Sequence, residues 1–303
     1  MKQKAILFLF PLVCSTSSFS QHRIERNQLN DTVQYFYKAD TLTFSKPNLF
    51  RNLAKVPADL WYITKSPVQK RNWIGLTVVA ASTAIFIAKD QEIINWVRNR
   101  SDDISLIPQT DYNILLKFGT TKIIKIPKNL NTALYQIGEG GTSMMLAGGL
   151  WIYGKIKKDW RAINTATDLA ETFVTMGVTT QIIKRITGRE SPFMATQSGG
   201  RWHPFPSFGD YQKNTSAYDA FPSGHLSTMM ATVTVLSYNY PEKKWIKPVG
   251  YTLIGLSAFA MMNTEVHWAG DYPLAIAIGY LSGKVTTLRH RTKNKQIRKA
   301  IPL

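Results

Sequence analysis

Residues 221–240 read FPSGHLSTMMATVTVLSYNY. From Leu226 onward the apolar residues recur at helical steps, so the stretch is a helix preceded by a short polar turn. Ser223 is a favoured N-cap, and proline is tolerated near a helix start. The first turn of any helix leaves N–H groups unpaired and carries partial positive charge, so it attracts anions. Gly224 lets a ligand approach the backbone closely, and His225 can donate a proton. These residues alone leave two readings open. One is a capped helix with a surface histidine; the other is a helix end built to hold an anion.

Working outward, five or six apolar segments carry most of the chain: roughly 73–88, 133–154, 168–184, 225–240, 246–262 and 270–285. None is an unbroken run of 18 apolar residues; Glu139 interrupts the second and Glu171 the third. Strict alternation is scarce, so β-structure finds little support. The expected fold is all-α, a bundle of about six apolar helices. Mean hydropathy is −0.14, low for a polytopic membrane protein. Short membrane spans packed on one another and a water-soluble bundle both remain open. Glycines in IGEGGTSMMLAGG (137–149) suit close helix packing, because the stretch lacks the Lys-Ser/Thr ending of a phosphate loop.

The chain has 303 residues, with 37 Lys and Arg against 19 Asp and Glu, a formal net charge of +18. That surplus favours anionic partners, a phosphorylated substrate or an anionic membrane surface. No nucleic-acid-binding signature accompanies it, so nucleic acid is not an expected partner. Residues 155–161, 241–247 and the tail 284–299 are all basic, and they fall on one side if the last four segments span.

At the N-terminus, MKQKAILFLFPLVCSTSSFSQ has two lysines, a short apolar run and small polar residues, a secretory signal cleaved after Ser20. Cys14, the sole cysteine, lies inside it, so the mature chain has neither disulfide nor thiol nucleophile. Residues 21–46 are polar and mixed. Residues 47–66 place Leu49, Phe50, Leu53, Val56, Leu60 and Trp61 at helical steps among Lys and Arg, an amphipathic helix. The expected organisation is a signal peptide at 1–20, a polar segment and amphipathic helix at 21–72, a helical domain at 73–285 and a basic tail at 286–303.

Two further constellations flank the opening stretch. In VHWAGDYP (266–273), His267 and Asp271 stand four apart and share a face if helical. A carboxylate beside an imidazole fixes its tautomer and prepares it as a nucleophile or base. In KRITGRESP (184–192), Lys184 closes an apolar helix, Gly188 ends it, and Arg185 and Arg189 add cations for phosphate oxygens.

In this order the three stretches resemble the type 2 phosphatidic acid phosphatase (PAP2) family, which also includes bacterial class A acid phosphatases and vanadium haloperoxidases. The resemblance covers roughly residues 130–285. The family pattern is Lys, six residues, Arg-Pro; then Pro-Ser-Gly-His; then Ser-Arg, five residues, His, three residues, Asp. Lys184, Pro192, Pro222, Ser223, Gly224, His225, His267 and Asp271 match it. Ser191 and Met261 stand where the family has arginines, and Arg189 is the candidate substitute for the first.

The resemblance implies an all-α bundle with the motifs converging at one end. It implies that His267 attacks phosphorus, Asp271 orients it, and His225 protonates the departing oxygen and later activates water. Lys184, Arg189, Ser223 and Gly224 would hold the phosphoryl oxygens, with no metal or other cofactor. The expected substrate is a lipid phosphate or diphosphate of the phosphatidate, undecaprenyl diphosphate or lipid A type, with a small soluble phosphoester as the alternative. The expected location is the bacterial cell envelope after export, membrane-associated with the site facing the periplasm, or soluble in the periplasm. The two replaced arginines keep a second expectation open, a non-catalytic binder of phosphorylated headgroups. A vanadium haloperoxidase is disfavoured because its vanadate needs the same cations.

Overall fold

The computed structural model describes residues 24–25, 32–37, 40–119 and 121–291. The expected signal peptide at 1–20 and the tail beyond Arg291 lie outside the described residues. Helices dominate: α1 (Leu49–Leu53), α2 (Val56–Lys65), α3 (Trp73–Asp103), α4 (Leu130–Gly138), α5 (Gly140–Lys157), α6 (Trp160–Thr187), α7 (Phe208–Lys213), α8 (Gly224–Asn239), α9 (Ile246–Asn263) and α10 (Tyr272–Arg291).

The expected all-α bundle is present, with two small sheets added. Strands β1 (Ile24–Glu25), β2 (Thr32–Tyr37) and β3 (Asp40–Ser45) pair antiparallel in that order, within the stretch whose composition suggested only polar, mixed chain. Strands β4 (Tyr112–Phe118) and β5 (Thr121–Pro127) form an antiparallel hairpin. Its apolar residues run consecutively rather than alternately, because side chains on both faces are exposed: Ile114, Leu115, Leu116, Phe118, Ile124 and Ile126. A strand with no buried face leaves no period-2 signature.

Helix α8 is central. Its Leu226, Met229, Met230 and Val233 pack with Ile254 and Met261 of α9 and with Tyr272 and Ala275 of α10. On another side Val235 meets Ala147 of α5 and Leu169 of α6. A helix apolar on nearly every face must be buried this way, and each such side chain contributes about 1.5–3 kcal/mol on leaving water. Helix α10 comes unusually close to α8: a Cβ on Gly279 would stand 2.3 Å from Ser227 O. Ser227 Oγ uses the approach, donating to Ala275 O at 3.0 Å.

The apolar segment 133–154 is two helices, because Glu139 leaves the helix at φ −64, ψ 139 and separates α4 from α5. The amphipathic stretch is likewise two, α1 and α2. Segment 73–88 is the first half of the 31-residue α3. Lys70–Asp103 is the helical stretch long and apolar enough to cross a membrane among the described residues, and none of its most apolar window is buried. Near the start of α6, Asp168 and Glu171 face His290, while Asp59 of α2 meets Arg289 and Thr286. This buried polar cluster joins α2, α6 and α10 far from the other end of α6, where Lys184 sits.

Candidate active site

The three sequence stretches meet at one end of α8, and backbone hydrogen bonds hold them together. Ser223 N–H donates to Asp271 O at 3.1 Å, and Ala220 N–H donates to Arg189 O at 3.0 Å. Ser223, fully buried, caps α8 with its Oγ accepting from Leu226 N–H at 3.4 Å. That leaves the N–H groups of Gly224 and His225 as the open first turn.

Lys184, in the last turn of α6, brings its ammonium to this turn. A Cβ on Gly224 would lie 3.8 Å from Lys184 Nζ, an ordinary contact distance that places the ammonium beside the turn. Lys184 Nζ also meets Asp219 Oδ2 at 3.2 Å, with Lys184 only 7% exposed. Helix α6 ends as the sequence predicts, at Gly188 with φ 58. A Cβ there would stand 1.9 Å from His203 O, so the left-handed conformation and the close contact both require glycine.

His225 and His267 face each other. His225 Nδ1 is 3.4 Å from His267 Nε2, and the rings stand edge to face at 5.5 Å. Burial, then the charges of His267, Lys184 and Lys125, push His225 down to about 3, so it is neutral at pH 7. His267 is buried. Its Nδ1 lies 3.4 Å from Asp271 Oδ2 without a hydrogen bond, and that oxygen accepts Trp268 N–H at 2.8 Å. The pair does not share a helix face. His267 precedes a 3-10 turn at Ala269–Asp271, and the turn folds the carboxylate back.

Arg189 is not open to a ligand, which corrects its expected place among the phosphate-binding residues. It is 0% exposed; Nη1 donates to Asp271 Oδ1 at 2.7 Å, and Nη2 to Asp90 Oδ2 at 2.5 Å and to Gly199 O at 2.7 Å. Arg185 is also occupied, stacked 3.6 Å over the Tyr211 ring. Ser191 and Met261 are buried, Met261 within the α8–α9–α10 core. The acids beside them are both bound within the protein. Glu190 accepts from Thr196 N–H and Arg201 N–H, each at 2.9 Å, and from Thr196 Oγ1, and meets His203 Nε2 at 3.1 Å. Burial alone would raise its pKa, but these donors lower it to about 2. Glu265 is paired with Arg98 at 2.5 Å.

The structure adds residues that no motif marked. Asp219 lies four before Ser223, in a loop of unremarkable composition. Asp90 comes from α3, and its Oδ1 accepts Gly270 N–H at 2.7 Å. Tyr135 of α4 has its ring 5.1 Å from that of His225. No group of three or more His, Cys, Asp or Glu is placed to hold a metal among the described residues. The arrangement offers a neutral imidazole facing a second imidazole, with a lysine and helix-end N–H groups beside them. That is equipment for moving a proton next to a bound anion.

Comparison with known proteins gives three findings. Over 80 residues the chain is 30% identical to a lipid A 1-phosphatase of Porphyromonas gingivalis, covering 26% of this chain and 18% of that one. The chain therefore aligns with less than a fifth of that relative's length. A transmembrane PAP2 type phosphatidylglycerolphosphate phosphatase of known structure, from Bacillus subtilis, is 13% identical; 80% of this chain and 98% of that chain align, with a TM-score of 0.38. The family model for the PAP2 superfamily matches residues 165–295. That range, which is similar to a PAP2 superfamily domain, holds Lys184, Ser223, Gly224, His225, His267 and Asp271.

Proposed function

We propose that the protein is a phosphatase acting on a lipid phosphate through a phosphohistidine intermediate. The observation that carries the reading is the facing pair His225–His267 at the Lys184–Gly224 helix end. The lone pair of His267 Nε2 attacks phosphorus while Asp271 stabilises the imidazolium that forms. The P–O ester bond breaks, and the departing oxygen takes a proton from His225. An anionic phosphoryl group beside His225 raises its proton affinity, so on substrate binding His225 takes up a proton from solvent and can act as the acid. His225, neutral again, then takes a proton from water. The water oxygen attacks phosphorus, the P–N bond breaks, and His267 is restored. Lys184 and the N–H groups at Gly224 and His225 hold the equatorial oxygens.

The resemblance to a lipid A 1-phosphatase favours a phosphate on an amphiphile over a soluble phosphoester, and so does the apolar exterior of α3. Export to the periplasmic side follows from the expected signal at 1–20. The test is phosphate release from detergent-dispersed lipid phosphates, beside His267→Ala. Wild type should release phosphate, and the variant should lose at least about 10³-fold. Equal activity in both would defeat the mechanism.

A second reading has its own support: Ser191 and Met261 replace arginines and Arg189 is sequestered, which leaves few cations for a transition state. On that reading the protein binds phosphorylated headgroups without turnover. Headgroup binding with no phosphate released across a broad lipid panel would decide for it.

A further inference from the structure

The β4–β5 hairpin brings a second lysine to the end of α4, the helix that packs on His225. Gln136 Nε2 of α4 donates to Lys125 O at 2.9 Å, tying the base of β5 to that helix. The same helix presents Tyr135 to His225, and at its end a Cβ on Gly138 would stand 3.4 Å from His225 Cβ. The next residue is Glu139, whose Oε1 and Oε2 meet Lys125 Nζ at 2.8 and 2.7 Å. The ion pair is therefore a neighbour of His225, with its side chains 21% and 24% exposed.

We infer that Lys125 is a second phosphate-binding cation, held by Glu139 until ligand arrives and then transferred to the phosphoryl oxygens. The inference rests on the phosphate reading of the site. Lys184 and Asp219 form the matching arrangement on the other side of the helix end, a buried lysine against a half-exposed carboxylate. In both pairs a single carboxylate keeps the ammonium aimed and partly desolvated. A partly exposed pair holds its partners weakly, and a phosphoryl dianion offers more charge and more acceptors than one carboxylate. Lys125 already acts on the histidine: its charge is among those that lower the proton affinity of His225. The arginines nearest the motifs are committed elsewhere, Arg189 to Asp90 and Asp271 and Arg185 to Tyr211. Transferring phosphoryl groups are stabilised by cations in place before reaction, and Lys125 is held by the residue that follows Gly138, where α4 packs on His225.

The pair has a competing explanation, since it also pins the hairpin: Tyr112 Oη of β4 donates to Glu139 Oε1 at 3.2 Å. The two roles predict opposite things. Affinity for orthovanadate and for inorganic phosphate can be measured by titration calorimetry on the full chain in detergent, for wild type, Lys125→Met, Lys125→Arg and Glu139→Gln. If Lys125 binds the ligand, Lys125→Met weakens vanadate by about tenfold or more. Lys125→Arg retains most of the affinity, and Glu139→Gln tightens it, because the lysine is released. If the pair only pins the hairpin, Lys125→Met and Glu139→Gln shift affinity in the same direction or not at all, and the inference falls. Wild type that binds neither anion and releases no phosphate would fail the phosphatase reading itself. Wild type that binds both, with Lys125→Met unchanged, fails the role of Lys125 alone.

Discussion

Arg189 lies between the Trp202 and Trp268 rings, its guanidinium carbon 4.8 and 5.3 Å from their centres, and between two carboxylates. Removing it leaves Asp90 and Asp271 buried without their cation, a change that costs about 3–5 kcal/mol. Arg189→Met is therefore expected to lower the melting temperature sharply in a thermal unfolding scan. A stable variant with weakened vanadate binding would instead return Arg189 to the ligand shell. Acid sensitivity also belongs to single residues. His225 is depressed to about 3 from an ordinary 6.5, so its contribution is complete above pH 6.5 and is lost as pH falls towards 3. Glu190 is depressed to about 2 from 4.5, so its contribution is complete above pH 4.5 and fades towards 2. Unfolding followed against pH should lose the upper part of this decline in His225→Gln and the lower part in Glu190→Gln. The same profile in all three proteins would contradict both assignments. Chemistry-bearing residues in the motifs were legible because their spacing is local: Pro222 to His225, and His267 to Asp271. That Arg189 turns away from the ligand was not, since that depends on Asp90, 99 residues away in sequence.

At the scale of elements, the site depends on where α6 stops. Gly188→Ala forces a Cβ into the His203 carbonyl and a non-glycine residue into the left-handed region, which alone costs about 1 kcal/mol. The variant should show a lower midpoint in denaturant unfolding and weaker vanadate binding, because His203 and Glu190 shift with it. An unchanged midpoint would mean that the contact relaxes freely. The helices were readable because their apolar faces are long and their ends punctuated, as Ser223 and Gly188 show. Breaks inside apolar runs were less visible. Glu139 divides α4 from α5 through its backbone conformation, which composition does not encode. The hairpin was invisible because neither face is buried, and with it went Lys125 and its partner.

For the whole molecule, the largest question is what covers the apolar exterior. Trp73, Ile74, Val78, Ile85 and Trp96 of α3, Met145, Trp151, Ile152 and Ile156 of α5, and Ile182 and Ile186 of α6 are all exposed, Ile74 to 81%. Soluble monomers rarely display so much apolar surface. The chain is expected to sediment with membranes after a high-salt wash and to be released by detergent; recovery in an osmotic-shock fluid would oppose this. The charge excess was legible at once, but the way helices share their apolar faces between core and exterior is a property of packing. One connection between exterior and site has a consequence of its own. Asp90 stands on α3, the helix with the unburied apolar window, and grips both Arg189 and the Gly270 N–H. A Cβ on Gly270 would stand 2.6 Å from Ile87 of the same helix, so there is no slack between them. A helix that tilts to match bilayer thickness would drag the turn that carries Asp271. Phosphate release in vesicles of one headgroup and graded acyl length should then pass through an optimum, and a flat response would separate the helix from the chemistry. Such a coupling would make the protein a gauge of the membrane around it.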